Sequence, residues 1–345
     1  MQTKVKTTKT TKVVKTTPIK KAKATTKAKA TTEPQVAQAD LSLIDAERRK
    51  DVLEVLSNYD LNWDVRKEHL VAVSTFNTNM GQMMDTCNAG IFRNDIHTHL
   101  GTTSKSYTIY QNAELVDTIL RAGESCNLEI SSGGECYGGS RVYLNLSLPT
   151  VTVGKSKIKR AITVLNSHNG RGSVTFGATY NILHKTGKTT KFTKIFGSMD
   201  KFRHTTSVAT RVNNAVAGLF ESLQKENDTI DQMAKMSKKK FNPTKGSNDE
   251  KLLRDIVLKC YRVDLNQSTN KINTRTLNNM NSVSQTIQSY VKNEEGTLWG
   301  LFNGILANTE AKTPKGQGET EYVVAGRGNL VNQKAFDIIS RYLNS

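Results

Sequence analysis

The stretch KIKRAITVLNSHNGRGSVTFGATYNIL, residues 157–183, predicts two β-strands joined by a tight turn. Its flanks, KIKRAITVLN (157–166) and SVTFGATYNIL (173–183), alternate polar and apolar residues or are rich in β-branched ones, as half-buried strands are. Between them stand Asn169 and Gly170, two residue types that tolerate the positive φ angles of a type I′ hairpin turn. We therefore expect an antiparallel hairpin, and with it a sheet, at the centre of the chain.

The turn itself, SHNGRGS (167–173), has a catalytic, a phosphate-binding and a structural interpretation. Ser167 beside His168 cannot form a catalytic triad by adjacency, because the base must approach the hydroxyl across space. We expect both side chains to hydrogen-bond the turn and Gly172 to allow a bulge. Arg171 would then be held at the tip of the hairpin, where it presents one cation.

Patterns on both sides of this hairpin define the fold class. A helix is expected at 41–59, strand-like alternation at 61–73, and mainly strands between about 91 and 182. One helix interrupts the strands at 112–123 and ends on Gly123, as a C-terminal cap would. Beyond residue 204 the apolar spacing becomes helical, at 206–236, 251–263, 276–291, 296–309 and 332–343. The sequence predicts an α+β fold, with a mostly antiparallel sheet in the middle and a helical C-terminal third.

Charge separates a tail from the body. The chain of 345 residues carries a net charge of +18, of which residues 1–32 supply ten lysines and no acid. Such a Lys/Thr-rich segment cannot bury enough apolar surface to offset its ordering entropy, so we expect a disordered basic tail at 1–40. A β-rich α+β core (41–204) and a helical region packing on it (205–345) would follow, or one continuous domain over 41–345. Without a secretory signal or an apolar span, the expected location is the cytoplasm.

Motifs of nucleotide-dependent and nucleophilic enzymes fail on their spacing. The segment TGKTTK (186–191) ends like a P-loop, but Ile182 stands where the motif requires its first glycine. The dinucleotide fingerprint lacks its third glycine at Thr175 and at Val331. The four cysteines contain no C-x-x-C pair, and the chain has no G-x-S-x-G elbow. We therefore expect no enzyme activity and no cofactor.

A metal site is a weaker alternative. Asp95, His97 and His99 alternate, so in a strand all three side chains would point to one face. His168 and His204 are available to complete the set in space. The competing interpretation is a polar strand end with unremarkable histidines, and we favour it.

The segment TYNILHKTGKTTKFTKIFGSMDKFRH (179–204) is the strongest functional signal. Its cations alternate with the rings of Tyr180, Phe192, Phe196 and Phe202, the combination that binds single strands by phosphate contact and base stacking. Further basic residues lie on the preceding strand, and Lys238, Lys239 and Lys240 form a third set. The expected nucleic-acid-binding residues are Lys155, Lys157, Lys159, Arg160, Arg171, Lys185, Lys188, Lys191, Lys194 and Arg203.

Several collinear segments resemble the phage/plasmid-like protein family known as domain of unknown function 932. They are LNWDV (61–65), FRNDIHTHLGTTSKSYTIYQNAEL (92–115), LNSHNGRGSV (165–174), FRHT (202–205), TLWGLFNGILANTEAKT (297–313) and GRGNLVNQKAFDII (326–339). The chain departs from the family after the turn, where ATYN (178–181) keeps only the asparagine of an Arg-x-x-Cys-x-Asn segment. The resemblance implies a phage, prophage or plasmid origin and no established activity.

Two functions follow as expectations, beside the weaker alternative of a metal-dependent enzyme that uses His97, His99 or His168. The first is a nucleic-acid-binding protein of phage replication or recombination, which binds or anneals single-stranded DNA as a homo-oligomeric ring, in the manner of phage single-strand annealing proteins. The second is a virion-associated or packaged protein whose basic tail neutralises DNA or docks to an acidic partner. Neither requires a membrane.

Overall fold

The computed structural model describes residues 38–73, 83–170, 174–198, 208–244, 246–260, 274–315 and 321–344. The predicted disordered tail, up to residue 37, lies outside them, as do Arg171, Phe202, Arg203 and His204. Residues Ala37–Ser345 cluster as one compact unit. In chain order its elements are α1 (Arg49–Asn58), β1 (Val65–Val73), β2 (Met83–Arg93), β3 (His99–Ser104), α2 (Asn112–Cys126), β4 (Ile130–Cys136), β5 (Arg141–Val153), β6 (Ser156–Ser167), β7 (Thr175–Leu183), β8 (Thr189–Ser198), α3 (Val208–Lys238), α4 (Asn248–Cys260), α5 (Thr274–Asn293), α6 (Leu298–Glu310), a π-helical turn (Glu321–Ala325) and α7 (Arg327–Leu343).

Two antiparallel sheets confirm the predicted α+β class. Strands β1, β2 and β3 form one meander, and β4 to β8 form a second in which every strand pairs with its sequence neighbours. The predicted hairpin is the β6–β7 pair, in register from Lys157 opposite Leu183 to Leu165 opposite Thr175. Helices follow from α3 to the C-terminus, as the apolar spacing indicates.

The turn between β6 and β7 differs from the predicted type I′ geometry. Gly170 has a positive φ of 74°, but Asn169 does not. The turn instead packs against β3: a Cβ at Gly101 would collide with the Asn169 carbonyl, and one at Gly170 would lie 2.7 Å from Thr103 Cβ. The Ser167 hydroxyl lies 2.8 Å from Asn169 Oδ1, so this side chain does bond the turn. The glycines therefore serve the close approach of the two sheets.

One face of the five-stranded sheet is covered by helices. We call this the inner face; on β6 it carries Ile158, Arg160, Ile162 and Val164. Ile162 and Val164 share a buried cluster with residues of α1, α2 and the first half of α3. Ile158 belongs to a second cluster with the end of α3 and the C-terminal helices. The opposite, outer face of β6 carries Lys157, Lys159, Ala161 and Thr163.

Side chains of the C-terminal helices close the sheet at β8. The Lys191 backbone N–H donates to Glu310 Oε1 of α6, and the Ile195 N–H donates to Gln333 Oε1 of α7 at 3.2 Å. These amides face away from β7, so they would otherwise be open to pairing with another strand. The side chains thus satisfy two donors of the edge strand.

Two helix boundaries correct the predictions. Helix α1 begins at Arg49, because residues 41–48 form successive turns held by Ile44 N–H to Leu41 and Arg48 N–H to Asp45. Helix α2 runs past Gly123 to Cys126 and ends at Asn127, whose left-handed φ of 54° makes it the cap. No helix within the described ranges combines the length and apolar character needed to cross a bilayer.

Candidate nucleic-acid interface

Alternation along β6 separates the predicted cations into two environments. Lys157 and Lys159 lie on the outer face and are exposed. Arg160 points the other way, and its Nη1 lies 2.9 and 3.0 Å from the two carboxylate oxygens of Glu226 on α3. The Glu226 side chain is only 1% exposed. Arg160 therefore stabilises the contact of the sheet with α3, and we remove it from the predicted interface.

The same separation occurs on β8. Lys194 lies on the inner face, with its Nζ 4.2 Å from the centre of the Phe336 ring. Burial lowers the pKa of this ammonium. Phe192 is fully buried and stacks on Tyr180, with ring centroids 5.7 Å apart. The expectation that these two rings stack on bases is wrong, because both complete the core beneath the C-terminal helices.

The remaining predicted residues are distributed unevenly. Lys191 is half-buried on the outer face, opposite Asn181, which is in turn opposite Lys159. Phe196 packs against the C-terminal core. Lys185 and Lys188 are exposed in the short turn between β7 and β8, and Lys155 is exposed in the turn between β5 and β6. Of the predicted cations that are described, these three turn residues and the two β6 lysines remain candidates.

Those two turns meet a third basic segment at one end of the sheet. Lys155 forms an ion pair with Glu295, which follows α5. The Lys240 ammonium donates to the Glu295 carbonyl at 3.0 Å. The hydrogen bond from Lys155, with the nearby charges of Lys240 and Lys185, lowers the pKa of the Glu295 carboxyl. Three segments that are far apart in sequence therefore converge on one acidic residue.

We call this region the basic end. Its lysines come from the β5–β6 turn and the start of β6, the β7–β8 turn, the residues after α3, and the last turn of α5. It contains one exposed acid, Glu295, and one buried acid, Glu294. The converging loops therefore concentrate positive charge at this end of the sheet. The residues are Lys155, Lys157, Lys185, Lys188, Lys239, Lys240 and Lys292.

A buried polar cluster fixes the loops of the basic end. Ser156 donates to Glu294 Oε1 at 3.1 Å and lies 3.4 Å from His184 Nδ1. The Trp299 indole N–H points to the Ser156 hydroxyl at 3.4 Å, and His184 Nε2 lies 2.9 Å from Thr190 Oγ1. The cluster thereby joins β6, the β7–β8 turn and the α5–α6 junction.

This Ser–His–Glu group is not a hydrolytic triad. A triad places the carboxylate and the hydroxyl at opposite ring nitrogens. Here Glu294 and Ser156 both lie on the Nδ1 side of His184, with Glu294 Oε1 at 3.9 Å from that nitrogen. All three residues are buried. Their chemistry is that of a structural hydrogen-bond network.

The outer face carries a polar ladder across all five strands. Asn145 donates to Ser132 at 2.9 Å and accepts from the Thr163 hydroxyl at 2.7 Å. Thr163 is 2.6 Å from Thr179, which is 3.0 Å from Thr193. Because each hydroxyl has one proton, Thr179 must donate to Thr163 and Thr193 to Thr179. The hydroxyl protons of all three threonines are thereby committed within the ladder, so these side chains hold the strands together.

The predicted metal ligands are not arranged on a strand face. Strand β2 ends at Arg93 and β3 begins at His99, so Asp95 and His97 lie in the connecting turn, where His97 has a φ of 51°. Asp95 instead accepts two hydrogen bonds from Arg93, at 2.7 and 3.0 Å. In the part of the chain that is described, no group of three or more His, Cys, Asp or Glu side chains could hold a metal ion.

His168 lies in a separate buried node. Its Nε2 is 2.8 Å from Asn112 Oδ1, and the Asn112 amide donates to the carbonyls of Leu61 and Trp63. The Trp63 ring packs edge-on against the imidazole and carries Arg93 on its face at 4.0 Å. Burial, with a smaller effect of Arg93, lowers the pKa of His168 to about 3. The node is structural and joins segments on which the family resemblance rests.

The fold thus defines an α+β protein with an antiparallel five-stranded sheet, a helical C-terminal region and a basic end. The family model described as domain of unknown function 932 matches residues 99–324, about two thirds of the chain. The chain belongs to this family. The match includes the five-stranded sheet and all three segments that meet at Glu295. Searches of curated proteins and of solved structures found no match.

Sequence reasoning missed the residues that organise the basic end. No motif or spacing in the sequence indicates a role for Glu294, Glu295 or Lys292, and His184 is one histidine among six. Their partners are distant, since the Ser156–Glu294 bond spans 138 residues. A signal for excluding Arg160 was present: it has the same strand parity as Ile158, Ile162 and Val164, which marks it as an inner-face residue.

Proposed function

We propose that the protein binds single-stranded nucleic acid, most simply DNA, through the basic end and the neighbouring outer-face lysines. The observation that carries the proposal is the convergence of three basic segments on Glu295. These lysines lie on exposed turns beside the lysines of β6, so the phosphates of a strand would be contacted without entering a closed cavity. Phage or mobile-element replication or recombination is the biological role that we propose for such binding.

The lysines of the basic end support recognition of the phosphate backbone rather than of base edges. Lysine ammoniums contact phosphate as point charges and carry no sequence information. Within the described residues, the rings expected to stack on bases are in the core. Binding of this kind releases counterions, so the affinity should fall steeply with salt.

The test is a salt titration of oligonucleotide binding by the full-length chain. In the variant Lys155→Ala/Lys185→Ala/Lys188→Ala, three phosphate contacts are lost, and the slope of log K against log salt should flatten by about 2. These residues are exposed, so folding should be preserved. A matched control, Lys50→Ala/Lys105→Ala/Lys259→Ala, removes the same charge from exposed positions elsewhere and should leave the slope unchanged.

Two outcomes would contradict the proposal. Equal slopes for the two triple variants would show that only net charge matters. Loss of all binding on deletion of residues 1–37 would assign nucleic-acid contact to the tail, as the alternative function of a packaged protein requires. An annealing assay with complementary oligonucleotides then asks whether bound strands are brought together.

A further inference from the structure

A cavity opens beside the basic end, between the loop after α3 and helices α4 and α5. Its volume is about 500 Å³, within the range of pockets that hold small ligands. Lys240 and Glu295 belong both to its wall and to the basic end. The cavity is therefore continuous with the proposed phosphate-binding surface.

The lining combines three kinds of group. The walls are apolar, from Phe241, Pro243, Leu253, Ile287 and Val291. Two amide side chains, Asn242 and Gln288, and two ammoniums, Lys240 and Lys292, stand among them. The one carboxylate, Glu295, is paired with Lys155, which lies outside the cavity. The site thus offers apolar surface, amide donors and acceptors, and positive charge.

We infer that this cavity receives a single unstacked nucleobase of the bound strand. A base has apolar faces that fit between aliphatic walls, and polar edges that amide side chains can bond. Its 5′ and 3′ phosphates carry negative charge, which Lys240 and Lys292 would neutralise at the cavity mouth. An acidic peptide would also suit the lysines, but it makes less use of two amide side chains set among apolar residues.

This inference rests on the proposed function and adds a preference to it. Bases in a duplex are paired and stacked, so only a single strand can place one in the cavity without the cost of unstacking. The pocket would therefore select single-stranded over double-stranded nucleic acid, which the lysines alone would not do.

The test compares two ligands of equal length and charge: oligothymidylate and an abasic oligomer with the same sugar-phosphate backbone. We expect the full-length protein to bind oligothymidylate at least about tenfold more tightly, the factor that corresponds to 1.4 kcal/mol. In Gln288→Leu, which removes one amide at an exposed position, this ratio should fall severalfold. Gln285→Leu is the matched control, because Gln285 is exposed on the same helix and does not line the cavity.

A second variant, Val291→Phe, fills the cavity from its wall and should bring the ratio close to one. Equal affinity of the wild type for both ligands would overturn the base pocket while leaving the phosphate surface intact. Absence of salt-sensitive binding to either ligand would instead overturn the proposed function itself. If Gln288→Leu weakened binding of a glutamate-rich apolar peptide and left the ratio unmoved, the cavity would belong to a protein partner.

Discussion

The two faces of strand β6 carry the same kind of charge and use it differently. Lys159 on the outer face is exposed, whereas Arg160, the next residue, is held by a buried carboxylate of α3. Strand β8 repeats the contrast with Lys194, which lies over a core ring. The exposed outer-face lysines Lys157 and Lys159 are therefore accessible to solvent, whereas the inner-face cations Arg160 and Lys194 pack against core side chains.

The contrast shows why counting basic residues in the sequence overestimates the number of cations that a ligand could contact. Burying a charge costs free energy unless a partner of opposite charge compensates it. Glu226 is that partner for Arg160. Exposed lysines need no such partner, and replacing them changes the free energy of unfolding little. Stability and binding should therefore respond to different lysines and arginines of the same strand.

The largest expected effect is on the inner face. Arg160→Ala leaves Glu226 as an unpaired buried charge and should lower the free energy of unfolding by about 3–5 kcal/mol. Denaturant unfolding measures it, with Lys159→Ala as the neighbour control, for which a change of about 0.5 kcal/mol or less is expected. The double variant Arg160→Met/Glu226→Leu should recover most of the loss. Equal effects of Arg160→Ala and Lys159→Ala would break the comparison.

A pH-dependent effect extends the comparison to histidines. His168 has a pKa of about 3 in the folded protein, against an unfolded value of about 6.5. The unfolded state binds the extra proton between these values, so stability is full above the unfolded pKa and is lost as pH falls toward the folded pKa. The loss should be on the order of 1 kcal/mol per pH unit.

The variant His168→Gln removes this titration, and its deficit relative to the wild type should shrink between about pH 7 and about pH 4. Unfolding free energies measured across that window provide the check. His99→Gln changes an exposed ring instead and serves as the control. A deficit for His168→Gln that is constant with pH would mean that the buried imidazole does not titrate as its surroundings dictate.

The smallest effect on stability should come from the outer face. Lys157→Ala/Lys159→Ala should change the free energy of unfolding by about 0.5 kcal/mol or less, yet flatten the salt slope of single-strand binding by about 1.4. Lys194→Met, on the inner face, should leave that slope unchanged. An unchanged slope for Lys157→Ala/Lys159→Ala, together with a flattened slope for Lys194→Met, would contradict binding on the outer face.

The fold was predictable where the information is local. The β6–β7 hairpin follows from two alternating runs around Asn169 and Gly170, and the C-terminal helices follow from apolar spacing. The turn geometry did not follow, because Gly170 is positioned by Thr103 of the other sheet. Tertiary contact, not turn preference, fixes that backbone.

The site was only half predictable. Lysine runs indicate Lys155, Lys157, Lys159, Lys185 and Lys188 directly. Strand parity could have excluded Arg160 and Lys194, because both alternate in step with buried apolar neighbours. The basic segments are joined at the junction that follows α5. No local sequence pattern relates Glu294 to Ser156 or Glu295 to Lys155.

The side chains that close β8 restrict how copies of this chain can assemble. A ring requires head-to-tail contacts between two different surfaces of each subunit. Sheet pairing could supply them only if both outer strands accepted a neighbour, and at β8 Glu310 and Gln333 already occupy two of the backbone donors. A ring built from this chain could therefore not be closed by strand pairing at Lys191 and Ile195 of β8.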